Sequence, residues 1–169
     1  IHTAKQLKDK VKNISGGNSE VAQALIRNYF MERFLERVSL SEYRNNFILK
    51  GGMLVASIVG VDMRATMDID TTVKSLSLKE QDARAIIEKI CAVHVEDGVT
   101  FKITSVKEIM EEFDYPGIRM MIEANLERLR QPFKIDMSTD DAITPGAIDY
   151  EYKLMFENRI ISVLSYNLE

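Results

Sequence analysis

The chain has 169 residues, of which 46% are hydrophobic and 28% charged, and its formal net charge is −4. This composition is that of one globular domain with a hydrophobic core, and the acidic balance argues against a generally basic nucleic-acid-binding surface. The single cysteine, Cys91, excludes an intrachain disulfide and favours a reducing, cytoplasmic compartment, and no apolar run is long enough to span a membrane.

Two helices are predicted in the first part of the chain. Residues 3–14 place Leu7, Val11 and Ile14 at helical spacing. From residue 21 to residue 38 the apolar side chains form a wide stripe along about five helical turns. The charged side chains of this second helix are predicted to cover its outer face: Glu32, Arg33, Glu36 and Arg37.

A short buried strand is predicted at Phe47–Leu49, because the segment is apolar and stops at Gly51 and Gly52. Residues 53–58 are predicted to form a short buried helix. Residues 64–73 then alternate strictly, which places Arg64, Thr66, Asp68 and Asp70 on one face of an extended segment and Ala65, Met67, Ile69 and Thr71 on the other.

A further helix and a run of strands are predicted in the rest of the chain. The capping box Ser77–Glu80 opens the helix, in which Cys91 packs in the core and His94 lies at the end as a cap or surface residue. Three strands follow at 99–110, 118–129 and 133–137. Residues 139–152 are predicted to be a polar loop and 159–164 a last short strand.

The order of these elements predicts the α+β class, with a mixed β-sheet flanked by helices. Residues 1–46 are expected to form an N-terminal helical segment packed on a core made by residues 47–169.

The most informative chemistry lies in Asp68 and Asp70, two carboxylates on one face of a predicted strand. Such carboxylates repel each other, and the repulsion grows as water is excluded. A divalent cation compensates for it, and Mg²⁺, or Mn²⁺ in its place, prefers oxygen ligands from carboxylates and phosphates. Asp136, on a later strand, is the best third carboxylate for a catalytic metal site.

Gly51 and Gly52 lie between a strand and a helix, where free backbone N–H groups favour a phosphate. Further candidates to neutralise or bind a triphosphate are Lys50, Arg64, Thr66, Arg119 and Lys134. Each piece alone has an ordinary structural explanation: a strand–Gly-Gly–helix turn is common, and an Asp-x-Asp strand usually faces solvent. The combination in this order favours a nucleotide and metal site.

The segment Phe47–Leu54, followed by Arg64–Asp70, resembles the signature of the AbiEii/AbiGii toxin family, a nucleotidyltransferase-fold group related to the MenT toxins. The residues Phe34–Arg37, the Tyr-Pro-Gly turn at 115–117 and the strand at 133–138 also resemble family features. The resemblance covers essentially the whole chain, and its most specific part is the Arg-x-Thr-x-Asp-Ile-Asp sequence.

The resemblance implies a Mg²⁺-dependent nucleotidyltransferase, the toxin of a toxin–antitoxin or abortive-infection system opposed by a cognate antitoxin. Gly52, Asp68 and Asp70 would form the nucleotidyltransferase motif and Asp136 the third acidic position, with the three aspartates catalytic and metal-binding. Nucleoside triphosphates would be the substrates and the end of a tRNA one acceptor. The gap from Gly52 to Asp68 is longer than in many nucleotidyltransferases, and a C-terminal helical part of the family is expected to follow Glu169.

Two alternatives remain open at this stage. The chain could be a nucleotide-binding or antitoxin-binding module with little catalysis, or the acceptor of the nucleotide could be a protein or a small molecule rather than RNA. The acidic net charge does not favour binding of an RNA acceptor. A local patch of cations could suffice for that binding: Arg119, Arg128, Arg130 and Lys134.

Overall fold

A computed structural model describes residues 1–50, 68–74, 76, 79–110, 116–139 and 147–166 of the chain. Within these residues there are three helices: α1 (Ala4–Ser15), α2 (Ser19–Leu40) and α3 (Glu80–Cys91). The helices predicted at 3–14 and 21–38 are therefore confirmed. No helix in the described part of the chain is long and apolar enough to cross a membrane.

The start of each of the first two helices is capped by a side chain. Thr3 accepts a hydrogen bond from the backbone of Gln6 in a capping box, and Asn18 accepts from the first turn of α2. The capping box predicted at Ser77–Glu80 is wrong, because α3 begins at Glu80 and its N-cap is Lys79, which makes no side-chain capping bond. Ser77 itself lies outside the described residues.

The described strands form one seven-stranded sheet. Their order in the sheet is β3-β4-β5-β2-β1-β7-β6. The strands are β1 (Phe47–Leu49), β2 (Asp68–Val73), β3 (Val99–Met110), β4 (Pro116–Leu126), β5 (Leu129–Ser138), β6 (Ile148–Lys153) and β7 (Ile160–Ser165). Since β2–β5 and β1–β7 are parallel and the other pairs antiparallel, the sheet is mixed and the α+β prediction is confirmed.

The predicted loop at 139–152 is wrong in its second half, because residues 148–153 form the edge strand β6. Its residues alternate between Ile148, Tyr150 and Tyr152 on one side and charged residues on the other. An edge strand needs only one buried face, so this polar segment still has strand periodicity.

The hydrophobic core lies between α2 and one face of the sheet. Phe34, Leu35 and Val38 of α2 meet Ile69 of β2 and Ile135 of β5 around a small interior cavity. Because strand residues alternate between faces, the neighbours of Ile69 and Ile135 on the same strands, which include Asp68, Asp70 and Asp136, lie on the opposite face.

The prediction that the charges of α2 face solvent is wrong. Glu32, Arg33, Glu36 and Arg37 are 2%, 1%, 5% and 2% exposed. They are buried because other elements supply partners of opposite charge or hydrogen-bonding groups, so the helix needs no solvated face.

The partners of these buried charges come from both ends of the sheet. Arg37 donates to both oxygens of Asp97, at 2.9 Å each, and to the backbone oxygen of Val99 at 3.0 Å. Arg159 donates to both oxygens of Glu36, at 3.3 and 2.8 Å. The buried network therefore fixes α2 to the α3–β3 connection on one side and to the start of β7 on the other.

Glu32 is a buried carboxylate for which no ion pair is found within the described residues. It accepts hydrogen bonds from the Tyr152 hydroxyl at 2.9 Å and from the backbone N–H of Met155 at 3.0 Å. Burial raises its pKa from 4.5 to about 7, against the opposing effect of these hydrogen bonds. Near neutral pH a substantial fraction of this side chain is therefore protonated.

Candidate active site

A row of four charged side chains crosses the sheet on the face opposite α2. Asp70 of β2 is in register with Asp136 of β5, and Asp136 is in register with Arg119 of β4. Lys50 extends the row on the other side, because it follows β1 and its backbone N–H donates to the backbone oxygen of Asp70 at 2.8 Å. The register therefore gathers residues that are up to 86 positions apart in the sequence.

Asp136 and Arg119 form a two-pronged ion pair at one end of this row. The Arg119 Nε donates to Asp136 Oδ1 at 2.9 Å, and a terminal nitrogen donates to Oδ2 at 3.0 Å. The side chains are 15% and 32% exposed, respectively. Such bidentate geometry is strong and directional, so each group holds the other in one orientation.

Asp68 and Lys134 form the second ion pair, two residues before Asp70 and Asp136 on the same two strands. The two residues are in register on β2 and β5, and Lys134 Nζ lies 3.2 Å from Asp68 Oδ2. Both side chains are about one-third exposed, at 33% for Lys134 and 30% for Asp68. The pair thus lies beside Asp70 and Asp136 on a surface that a ligand can reach.

Lys50 contacts both Asp70 in the row and a buried hydroxyl group on β5. Its Nζ lies 3.8 Å from Asp70 Oδ1 and donates to Ser138 Oγ at 3.2 Å. Ser138 is 2% exposed and is in register with Thr72, also 2% exposed, on the neighbouring strand. The Thr72 hydroxyl has no hydrogen-bond partner among the described residues.

The sequence reasoning missed Ser138 and Thr72. The period of two along β5 was the available signal, because it places Ser138 on the face that carries Lys134 and Asp136. The cross-strand partner Thr72 had no such signal, since the adjacency of β2 and β5 is a nonlocal pairing.

The structure brings together six of the residues that the sequence singled out: Lys50, Asp68, Asp70, Arg119, Lys134 and Asp136. Gly51, Gly52, Arg64 and Thr66, together with the helix predicted at 53–58, lie outside the described residues. Their roles stay predictions. The alternation predicted for 64–73 is confirmed over residues 68–71, where Ile69 and Thr71 are buried, Asp68 is partly exposed and Asp70 is exposed.

The three carboxylates on this face of the sheet offer the oxygen ligands that a divalent cation such as Mg²⁺ prefers. Asp70 and Asp136 lie directly opposite each other on adjacent strands, and Asp68 lies two positions from Asp70 on the same face. Each carboxylate has a cationic neighbour, and among the described residues no three His, Cys, Asp or Glu side chains converge on one point as metal ligands. Asp68 and Asp70 are the more exposed carboxylates, whereas both oxygens of Asp136 accept from Arg119.

Cys91 and His94 take no part in this arrangement. Cys91 packs against the core, and burial raises the pKa of its thiol to about 12, so the thiol is protonated and unreactive at neutral pH. His94 is exposed just beyond α3. Both observations agree with the structural roles predicted for them.

Two solved structures from Helicobacter pylori resemble this fold. The protein JHP933 is 16% identical over 86% of this chain and 53% of its own, with a TM-score of 0.47. A second H. pylori protein, described provisionally as a nucleotidyltransferase, is 15% identical over 86% of this chain and 54% of its own, with a TM-score of 0.49. The chain therefore spans about half the length of each.

Among curated proteins, none matches the chain. The profile of the family described as "Nucleotidyl transferase AbiEii toxin, Type IV TA system" matches residues 33–169, which include every candidate residue of the charged row. The chain belongs to the AbiEii nucleotidyl transferase toxin family of type IV toxin–antitoxin systems.

Proposed function

We propose that this protein transfers a nucleoside monophosphate from a nucleoside triphosphate to the 3′ end of an RNA, with Mg²⁺ or Mn²⁺ as cofactor. The observation that carries the proposal is the register of β2 and β5, which places Asp68, Asp70 and Asp136 together on one face of the sheet. Family membership supports nucleotidyl transfer as the reaction class.

Asp68 and Asp70 are the proposed primary metal ligands, because they are exposed and flank the buried Ile69. A bound divalent cation supplies charge neutralisation for the triphosphate and for the leaving pyrophosphate. Asp136 is the third carboxylate of the proposal, and it becomes available as a ligand or base once Arg119 turns from it to a substrate phosphate.

The cations that pair with the three aspartates would hold the triphosphate around that centre. Lys50, Arg119 and Lys134 are each within reach of one of the aspartates, so substrate phosphates can replace existing carboxylate partners without exposing an unpaired charge. Gly51, Gly52, Arg64 and Thr66 complete the proposed phosphate site from the segment that joins β1 to β2. Preorganised charge of this kind is the usual source of catalysis in phosphoryl transfer.

In the cell, the proposed setting is the bacterial cytoplasm, where nucleoside triphosphates and a tRNA acceptor are present, and a cognate antitoxin would oppose the activity. An abortive-infection role would follow if transfer inactivates tRNA needed by an infecting phage. This chain spans about half the length of the two proteins of known structure that it resembles, so we attribute acceptor choice to the full-length protein.

The test is to incubate the full-length protein with labelled nucleoside triphosphates, Mg²⁺ and a total RNA pool, and to sequence the RNA 3′ ends. The expected result is a nucleotide added to defined ends, lost on chelation of Mg²⁺ and in Asp68→Asn and Asp70→Asn. Undiminished transfer in either variant would overturn the assigned roles.

A second candidate function is triphosphate or antitoxin binding with little catalysis. The ion pairs already made by all three carboxylates favour it, since a site built for binding needs no vacant carboxylate. Calorimetry separates the two: the enzyme should bind triphosphate more tightly with Mg²⁺, whereas equal binding without a divalent ion and no transfer to RNA or protein would support the binding module.

A further inference from the structure

An open cleft lies at the end of the sheet far from the aspartates, between the first turns of α1 and the β4–β5 hairpin. Its volume is about 430 Å³, and its lining includes Lys8, Glu127, Arg128 and Arg130. A neighbouring cleft of about 250 Å³ shares Lys8 and also contains Lys12. Because Lys8 lines both, the two clefts adjoin each other along α1 and present one surface.

This surface is positively charged in an acidic protein. Lys8, Lys12, Arg128 and Arg130 are exposed, and none of the four forms an ion pair within the described part of the chain. Glu127 is the acid that lines the larger cleft, but its Oε1 already accepts a hydrogen bond from the Ala4 backbone N–H at 2.7 Å. The cations are therefore available to an anionic partner.

The hairpin that carries the two arginines is fixed to α1. Glu127 has a φ of 54°, a left-handed conformation that is unfavourable for a residue other than glycine. The hydrogen bond from the Ala4 backbone N–H to the Glu127 carboxylate joins this turn to the start of α1. This packing presets the spacing of Lys8 from Arg128 and Arg130.

Strand β5 connects this cleft with the candidate active site. Arg130, Lys134 and Asp136 alternate along it and therefore share one face of the sheet. At about 3.3 Å per residue, the six steps along the strand from Arg130 to Asp136 span about 20 Å. A polyanion that runs along β5 would meet a cation at the cleft, a second at Lys134, and then the aspartates.

We propose that the cleft formed by Lys8, Arg128 and Arg130 binds the phosphate backbone of the RNA acceptor, about 20 Å from the aspartates that receive its 3′ end. This inference rests on the proposed function for its choice of RNA. Phosphate contacts of this kind fix the position of an RNA without reading its sequence.

The test measures binding of a fluorescein-labelled 24-nucleotide single-stranded RNA of mixed sequence to the full-length protein by anisotropy between 50 and 200 mM KCl. The test variant reverses three charges in the cleft: Lys8→Glu, Arg128→Glu and Arg130→Glu. The control variant reverses three exposed charges elsewhere: Lys10→Glu, Lys89→Glu and Lys153→Glu. Lys10 lies on the far side of α1, about 200° around the helix from Lys8.

Loss of three phosphate contacts should make the salt slope of log K shallower by about 2, since each contact on a single strand contributes about 0.7. We expect affinity at 100 mM KCl to fall more than tenfold in the cleft variant and less than threefold in the control. Equal losses would show a net-charge effect and overturn the proposal, as would an unchanged cleft variant. Polyglutamate that displaces the RNA as well as unlabelled RNA does would overturn the choice of RNA over an acidic polypeptide.

The same measurement in Asp70→Asn separates this proposal from the proposed function. RNA bound normally by an inactive Asp70→Asn protein supports both. RNA bound at the cleft by a wild-type protein that transfers no nucleotide contradicts only the proposed function. Triphosphate binding should be unchanged in the cleft variant, which also verifies that the variant is folded.

Discussion

Two charged networks lie on opposite faces of the same sheet, and they differ in what their charges do. On the α2 face, Arg37 and Asp97 are 2% and 3% exposed and join separate elements. On the other face, the side chains of Asp68 and Asp70 are 30% and 50% exposed and pair with Lys134 on β5 and with Lys50, which follows β1. The buried network stabilises the fold. The strands position the exposed network, whose side chains remain accessible to solvent.

The comparison shows that charge pairing alone does not identify a functional site. Both networks contain bidentate arginine–carboxylate pairs, Arg37–Asp97 in the interior and Arg119–Asp136 on the sheet. Exposure distinguishes them, because an anion from solvent can reach Arg119 but cannot reach Arg37. Substitutions in the two networks should therefore affect different properties.

The largest effect on stability is expected for Asp97→Ala. The change would leave Arg37 buried without its carboxylate partner. Arg33, which lies 3.7 Å from the same carboxylate in the wild type, would also lose a neighbour of opposite charge. The Val99 backbone N–H would lose its acceptor. Breaking a buried pair from one side costs about 3–5 kcal/mol. Urea unfolding measures this change in the free energy of unfolding, and a decrease of less than about 1 kcal/mol would contradict the structural role of this network.

Glu32→Gln should remove a pH dependence of stability. Because the pKa of Glu32 is raised to about 7 in the folded protein, its contribution is fully present below about pH 4.5 and is lost as pH rises to about 7. Relative to the Gln variant, the free energy of unfolding of the wild type should therefore fall by about 3 kcal/mol between pH 4.5 and 8. Unfolding curves of both proteins across this range test the prediction, and parallel pH profiles would contradict it.

Arg119→Lys should affect activity more than stability. Lysine cannot form the two-pronged pair with Asp136, but the pair is partly exposed, so unfolding should change by less than about 1 kcal/mol. Transfer should fall roughly tenfold through misplaced charge. Steady-state kinetics and urea unfolding on the same preparations measure both; a stability loss larger than that of Asp97→Ala would place Arg119 in the structural network.

The smallest effect is expected for Asp149→Ala at the edge of the sheet. Its ion pair with Arg44 is short, at 2.7 Å, but the Asp149 side chain is 67% exposed. Exposed pairs contribute about 0–1 kcal/mol, so neither stability nor transfer should change measurably. A clear loss of transfer would extend the functional surface to β6.

Much of the exposed site could be predicted because its signals are local. The alternation around Ile69 placed Asp68 and Asp70 on one face, and the same period placed Lys134 with Asp136. The pairing of β2 with β5 was not readable from periodicity, since residues 66 positions apart in sequence meet there. The strand pattern made Asp136 the best candidate for a third carboxylate, and the resemblance to the family assigned it the same role.

The buried network could not be predicted in the same way. The charges of α2 recur in pairs along the helix, a pattern that normally marks a solvent face. Their burial depends on Asp97, Tyr152 and Arg159, which come from distant segments and have no signal of their own in the sequence. Likewise, β6 was missed because a half-exposed edge strand carries as many charged as apolar residues.

The most direct test of the account compares Asp70→Asn with Asp97→Asn in two assays, labelled nucleotide transfer with Mg²⁺ and urea unfolding. Asp70→Asn should keep its stability within about 1 kcal/mol and lose transfer by at least about a hundredfold. Asp97→Asn should lose about 2 kcal/mol or more of stability, yet transfer within about fivefold of wild type where it is folded. An Asp70→Asn protein that transfers normally, or a folded Asp97→Asn protein that is equally inactive, would contradict the division between the two faces.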